Sequence, residues 1–362
     1  MKGYEVEIIS PLSIGNGIKK VSFEYVCSKG QLKYIDIYKL LKDISRSKIL
    51  VDGVISGFRR GYVDWKSLKI NVDNYIKYVV ECVGTPAVRG GVVEFIKTAG
   101  KPYIPGSSIK GAVRSSITRG LYSSVNQIYT SSIYSESRES DPKRADDRAE
   151  ENIFGKPHNS PFRFLLIGDT EPFYVEDMGI YEMKILNICN GRVKWYNRAN
   201  NCDDPKDALS IFLEALKEGS KGKGFLSIDG RINDSFVINE AKIKRANDIK
   251  NFVSLIRKDI DNYIEREIKF YEKFSMYDIS NFYKQLKDLS NQLKDNEILV
   301  QIGFGTGFNS KTVSSLFEGE NRLKLKKFIK KFDSDVFPKT RRIIFKDGKP
   351  YTVPGWVKIS FY

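Results

Sequence analysis

Strands and helices mixed without a regular parallel βαβ cadence predict an α+β fold. Short runs of strand character recur along the chain, at residues 4–9 (Tyr-Glu-Val-Glu-Ile-Ile), 163–169, 298–302 and 355–361. Residues 240–295 instead place Ile249, Phe252, Val253 and Ile256 at helical spacing. No short tandem repeat is present, so a solenoid or propeller is not expected.

Taken in order, the alternating residues 4–9 read as a strand and residues 10–17 as a turn-rich loop. Residues 21–26 and 33–36 predict two more strands, and residues 37–44 a short helix. Residues 85–91 read as a loop and 92–98 as a strand. Residues 131–152 are almost entirely Ser, Glu, Asp, Arg and Lys, which predicts a mobile loop. Residues 163–169 carry a buried-strand pattern. Residues 181–188 and 192–196 predict a hairpin around Asn190-Gly191. Residues 205–216 read as a capped helix, 225–228 as a strand, and 322–332 as a basic helix. The expected division is an N-terminal unit over residues 1–160 and a C-terminal unit over 161–362, with a helical insertion at about 240–295.

The 362 residues suit two or three domains at roughly 100–200 residues each. With 41% hydrophobic and 12% aromatic residues the chain can build a real core. A net charge of +15 points to a polyanionic partner, nucleic acid before an anionic membrane surface. No window approaches 18 uninterrupted apolar residues, so no membrane span is expected. The N-terminus carries acid where a signal peptide needs an apolar core, and a cytoplasmic location follows as the expectation. Cys27, Cys82, Cys189 and Cys202 form no Cys-x-x-Cys pair, so neither zinc nor redox chemistry is expected, and no cofactor is implied. The single histidine, His158, reads as a loop residue. A metal site would therefore rely on carboxylates, and histidine-pair acid–base catalysis is excluded.

The most informative stretch is residues 103–114, Tyr-Ile-Pro-Gly-Ser-Ser-Ile-Lys-Gly-Ala-Val-Arg. It reads as a strand that stops at Pro105-Gly106 and turns into a helix, with Ser107 or Ser108 as N-cap. First-turn amides and the positive end of the helix dipole suit a phosphate. Lys110 and Arg114 share one face. Ile109, Val113 and Ile117 share the adjacent face, which would dock on a core.

Residues 303–308, Gly-Phe-Gly-Thr-Gly-Phe, lack the spacing of a dinucleotide fingerprint. Ser310 stands where a Walker A loop needs the glycine before lysine. The loop reads instead as exposed amides that, with Lys311, touch a phosphodiester backbone. Between Glu320 and Lys349 eleven basic residues face four acidic ones. Arg341 and Arg342 stand out there, beside Pro338 and a following strand.

Three segments now fall in one order: Pro11-Leu-Ser-Ile-Gly-Asn-Gly17, the 104–114 motif, and the 303–308 loop continued by Ser310-Lys311-Thr312. Together they resemble the RAMP superfamily of CRISPR proteins. Residues 337–342 and the terminal Pro354-Gly-Trp-Val357 are similar to the end of one group within it, the fifth subunit of the type III-A Csm effector complex. The resemblance implies two fused ferredoxin-like (RRM-like) folds with helical insertions. It also implies a non-catalytic subunit that binds CRISPR RNA (crRNA), a single-stranded RNA. Such a subunit caps the crRNA 3′ end beside neighbouring Csm backbone subunits and supports 3′-end maturation with host nucleases. Carried onto this chain, Ser13, Gly15, Gly17, Ser107, Ser108, Lys110, Gly111, Arg114, Gly303, Gly305, Gly307, Lys311, Arg341 and Arg342 become RNA contacts. Ser13 stands where relatives often carry histidine. The rival reading is a repeat-processing endoribonuclease of the same superfamily, whose members usually depend on that histidine. Here it would have to use Tyr, Lys, His158 or an aspartate such as Asp36, Asp64 or Asp169.

Overall fold

The computed structural model describes residues 3–85, 88, 90–137, 145–318 and 336–362. Its first half runs β1 (Tyr4–Ile8), β2 (Gly15–Lys20), β3 (Tyr25–Ser28), β4 (Gln31–Ile35), α1 (Ile37–Ile44), α2 (Lys48–Arg60), β5 (Ile76–Cys82) and β6 (Val92–Phe95). A small hairpin, β7 (Lys97–Thr98) and β8 (Lys101–Pro102), leads into α3 (Gly106–Gly120), α4 (Tyr122–Ser137) and α5 (Ala145–Phe154). The second half runs β9 (Leu165–Thr170), β10 (Met178–Cys189), β11 (Arg192–Trp195), β12 (Ile211–Leu216) and β13 (Lys221–Ile228). It continues through α6 (Ser235–Glu240), α7 (Ala246–Lys250), α8 (Phe252–Lys273), α9 (Tyr277–Asn291), β14 (Glu297–Gln301), β15 (Thr340–Lys346), β16 (Lys349–Thr352) and β17 (Trp356–Phe361). The α+β class expected from the pattern is the class observed.

Two sheets organise these elements. A five-stranded antiparallel sheet has the order β14-β17-β1-β13-β9, so the first and last strands of the chain are neighbours. A ten-stranded sheet follows the path β2-β6-β12-β10-β5-β4-β3, with β11 and β15 also paired to β10 and β16 to β15. Each sheet draws strands from both sides of residue 160, so two units along the chain would have to interleave. The main core fills the space between sheets and helices. It includes Tyr4, Val6 and Ile8 of β1, Ile109, Val113 and Ile117 of α3, and Ile256, Ile260 and Ile264 of α8. A separate small core under α1 and α2 gathers Leu40, Ile44, Val54 and Trp65.

Most sequence-level elements are present. Asp36 caps α1 by accepting the Lys39 N–H at 2.9 Å. Asn190 and Gly191 both adopt positive φ in the tight β10–β11 turn, as a two-residue hairpin demands. Helices α7 to α9 fill most of the 240–295 insertion.

Two expectations are corrected. Residues 205–216 are not a helix: Asp204 caps a single turn at Pro205–Asp207, and residues 211–216 are strand β12 between β6 and β10. Helix-forming Leu, Glu and Ala residues there are overridden by burial on both faces, since residues 212–216 are all buried. Nor is 131–152 one long loop. Residues to Ser137 extend α4 and Ala145–Phe154 form α5, tied together where the Asn152 side-chain amide donates to the Ser132 hydroxyl at 2.8 Å. The sparse apolar anchors suffice because Tyr129 and Ala149, on α4 and α5, both reach the core. Residues 138–144, and the basic helix expected at 322–332, lie outside the described residues.

Candidate nucleic-acid interface

Helix α3 begins at Gly106 with Pro105 in the N-cap position, and no side chain caps it there. Ser107 and Ser108 are therefore not the cap, contrary to the sequence expectation. Proline's fixed φ leads the chain directly into the first turn. The Asp169 carboxylate on β9 instead accepts the Gly106 N–H at 2.8 Å, placing negative charge at the positive helix end. Ser107 is exposed and Ser108 half-buried, and both are left to face a groove.

That groove is a cavity of about 460 Å³. One wall is Ile14 and Gly15 at the entrance to β2. The floor is the α3 face bearing Ser107, Ser108, Gly111 and Ser115, and the opposite wall is Gly303, Phe304, Ser310 and Lys311. All three motifs found far apart in the sequence thus border one opening. A backbone bond holds the first and third together, Phe304 N–H donating to the Ser13 carbonyl at 2.7 Å, and Gly355 N–H ties the C-terminal segment to the Pro11 carbonyl at 3.0 Å. Gly303 is required at this crossing. Its φ is +92°, and a Cβ there would sit 2.3 Å from the Ser13 carbonyl oxygen.

Two buried ion pairs brace the glycine loop from behind. Arg119 of α3 bonds Asp259 of α8 through Nε at 2.9 Å and Nη2 at 2.7 Å, while its Nη1 donates to the Ser310 carbonyl at 2.6 Å. Arg341 of β15 bonds Glu267 of α8 through Nε at 2.7 Å and Nη2 at 3.0 Å. The Asn309 side-chain amide donates to the same Glu267 at 2.6 Å. Asp259 and Glu267 lie about two turns apart on α8 and hold two consecutive loop residues, Ser310 through Arg119 and Asn309 directly.

The candidate contacts therefore divide. Gly15, Ser107, Ser108, Gly111, Gly303 and Lys311 line the groove. Lys110 is half-buried on α3; burial and then the nearby Arg114 hold its ammonium below the usual lysine range. Lys311 is shifted down in the same way, by burial and then by Arg342 beside it. Neither lysine, nor Arg342, forms an ion pair with a described residue. Arg114 turns elsewhere, to Glu150 of α5, with its guanidinium over the Phe162 ring at 5.5 Å. Arg341 is occupied by Glu267 and stacks over Phe270 at 4.0 Å. Ser13 is fully buried, so its backbone carbonyl and not its hydroxyl meets the loop. Gly17 and Gly307 have open surroundings, while Gly305 rests against Met183 and Pro354.

Sequence reasoning missed Arg119, Asp259 and the Asn309–Glu267 contact. It also missed Ser115, one turn beyond Gly111, and Phe304, which is 40% exposed at the groove. The helical period from Ser108 through Ser115 to Arg119 was the available signal for Ser115 and Arg119. The three candidate aspartates all serve as caps: Asp36 on α1, Asp169 on α3, and Asp64 accepting the Ser67 N–H at 3.1 Å. His158 is exposed in a short turn. Among the described residues no group of three or more His, Cys, Asp or Glu is placed to hold a metal ion, and no helix is long and apolar enough to cross a membrane.

A glycine-loop groove framed by a Pro-Gly-Ser-Ser helix start and an N-terminal turn defines a class of protein. The RAMP superfamily matches residues 5–310, and the chain belongs to that superfamily. Within it, the chain is 25% identical over 403 aligned positions to the CRISPR system protein Csm5 of Methanocaldococcus jannaschii, covering 98% of this chain and 87% of that protein. Its fold is similar to a chain in the cryo-EM structure of a Csm–crRNA–target RNA ternary complex of a type III-A CRISPR–Cas system. There the TM-score is 0.72 at 21% identity, over 99% of this chain and 100% of that one. It is also similar to the crystal structure of T. onnurineus Csm5, with a TM-score of 0.67 at 20% identity over 98% and 99% of the two chains.

Proposed function

We propose that this chain is a non-catalytic crRNA-binding subunit of a type III-A Csm complex. In that role it caps the 3′ end of the crRNA beside neighbouring backbone subunits and supports 3′-end maturation through host nucleases. The observation that carries the reading is the meeting of the three motifs on one groove with Lys311 in its wall. Backbone amides of the glycine loop, the Ser107 and Ser108 hydroxyls, Lys110 and Lys311 are the groups that would hold phosphates, and Phe304 offers a ring for a base. Similarity to Csm5 over nearly the whole chain supports the assignment to that subunit. The two sheets, each with helices packed against it, would be the two ferredoxin-like units. The non-catalytic reading rests on Asp36, Asp64 and Asp169 being engaged as caps and on Ser13 in place of histidine. Nothing at the groove favours the endoribonuclease alternative.

The test is RNA affinity by fluorescence anisotropy for Lys110→Ala with Lys311→Ala, against wild type. The double variant is expected to fold normally and to lose affinity. Its log–log salt dependence should flatten by about 0.7 per phosphate contact removed. Unchanged affinity in the folded variant sinks the groove assignment. Sequencing crRNA ends in cells lacking the gene tests maturation, and longer 3′ ends are the expected result.

A further inference from the structure

One turn beyond Ser115 along α3, Arg119 and Gly120 border a second cleft, of about 680 Å³. From Ser107 to Arg119 the floor measures about 18 Å at the helical rise per residue. The stretch from the end of β14 onward borders both: residues 301–304, 310 and 311 line the first cavity and residues 316–318 the second. The two clefts share no lining residue among those described, but both are bordered by α3 and by the stretch after β14, and the Arg119 to Ser310 bond lies between them.

The chemistry of the second cleft is basic. Helix α8 presents Lys258, Arg266 and Lys269 into it, and the start of α4 presents Ser123 and Asn126. Lys258 and Lys269 are exposed and make no ion pair with a described residue. Arg266 is half-buried, and its Nη2 is enclosed without a hydrogen-bond partner. An enclosed guanidinium donor left open costs free energy, and an anion supplies the missing acceptor. Of the two acids that border the cleft, Glu265 is neutralised by Lys287 at 2.6 Å, and Glu318 is exposed at its end. Tyr122, tilted against Phe317 with ring centres 6.1 Å apart, adds an aromatic wall.

We infer that this second cleft is a phosphate-binding extension of the RNA groove, taking the next nucleotides of the same single strand. The inference rests on the proposed RNA-binding role. Lys258, Arg266 and Lys269 neutralise successive phosphates.

The experiment uses the full chain and two fluorescent oligouridylates of roughly four and twelve nucleotides, spanning the range of single-strand site sizes. Lys258→Gln with Arg266→Gln and Lys269→Gln is expected to bind the short RNA as wild type does. It should bind the long RNA about tenfold or more weakly, with a salt slope flatter by about 2. Should the buried Arg266 substitution impair folding, Lys258→Gln with Lys269→Gln touches only exposed side chains and should flatten the slope by about 1.4. Lys311→Ala, in the first cavity, should weaken both lengths. The extension is overturned if wild type gains nothing from the longer RNA, or if the charge-neutralised variants bind it with wild-type affinity and slope. Failure of wild type to bind either length instead overturns the RNA-binding role, and the extension with it.

Discussion

Arg119 and Asp259 allow stability and RNA affinity to be separated. The Arg119 side chain is 3% exposed and that of Asp259 2%. Arg119→Met leaves the Asp259 carboxylate buried with the Ser116 hydroxyl, at 2.6 Å, as its remaining hydrogen-bond partner among the described residues. Breaking such a pair from one side costs about 3–5 kcal/mol, a large share of a typical total of about 5–15 kcal/mol. Replacing both members removes the stranded charge. Arg119→Met with Asp259→Leu and Ser116→Ala also removes the orphaned hydroxyl, and should return to within about 2 kcal/mol of wild type. Neither variant restores the charge-assisted bond from Arg119 to the Ser310 carbonyl. That bond is worth about 1.5–3 kcal/mol, and part of it is spent holding the glycine loop against α3. The triple variant should therefore unfold in urea close to wild type while binding RNA about tenfold more weakly, the equivalent of about 1.4 kcal/mol. Wild-type affinity in the triple variant would show that the loop is positioned without Arg119. Wild-type stability in Arg119→Met alone would refute the assignment of a buried, paired Asp259.

Three further outcomes are expected. Gly303→Ala should destabilise by at least about 2 kcal/mol, because strained φ and the approach to the Ser13 carbonyl combine; Gly307→Ala, at φ +88° with nothing within 4 Å, should cost only about 1 kcal/mol, as denaturant titration will read. Arg341→Gln should lose about 3–5 kcal/mol by stranding Glu267, whereas Arg342→Gln should stay within about 0.5 kcal/mol of wild type and flatten the RNA salt slope by about 0.7. Burial, with Cys27 beside it, pushes the Cys82 thiol from 9.0 up to about 12, so it should resist alkylation at pH 8.5 until the protein unfolds. The sign follows: the folded state favours the neutral thiol, so this contribution is intact below pH 9 and is lost as pH rises from 9 towards 12, which stability measured against pH would reveal.

What could be read from the chain alone follows the range of the forces involved. Helix α3 was legible because Ile109, Val113 and Ile117 repeat at a local period, and the Asn190-Gly191 hairpin because a tight turn needs those residue types. Residues 205–216 were not, since their fate depends on strands β6 and β10, which contribute nothing to local propensity. The same limit governs the site. The Ser-Ser pair, Lys311 and the glycines could be identified by type and order, and Gly15, Ser107, Ser108, Gly111, Gly303 and Lys311 do border one groove. Which cations remain free to meet an anion could not be identified, because that depends on carboxylates brought in from afar: Asp259 is 140 residues from Arg119, and Glu267 is 74 from Arg341. The consequence is an inversion of the sequence ranking. Arg341, conspicuous beside Pro338, is bound to Glu267 and supports the loop from behind, while Lys258 and Lys269, ordinary lysines on a long helix, border the second cleft without an ion pair to a described residue. In a chain of net charge +15 the free cations, more than the basic residues as such, decide where a polyanion settles.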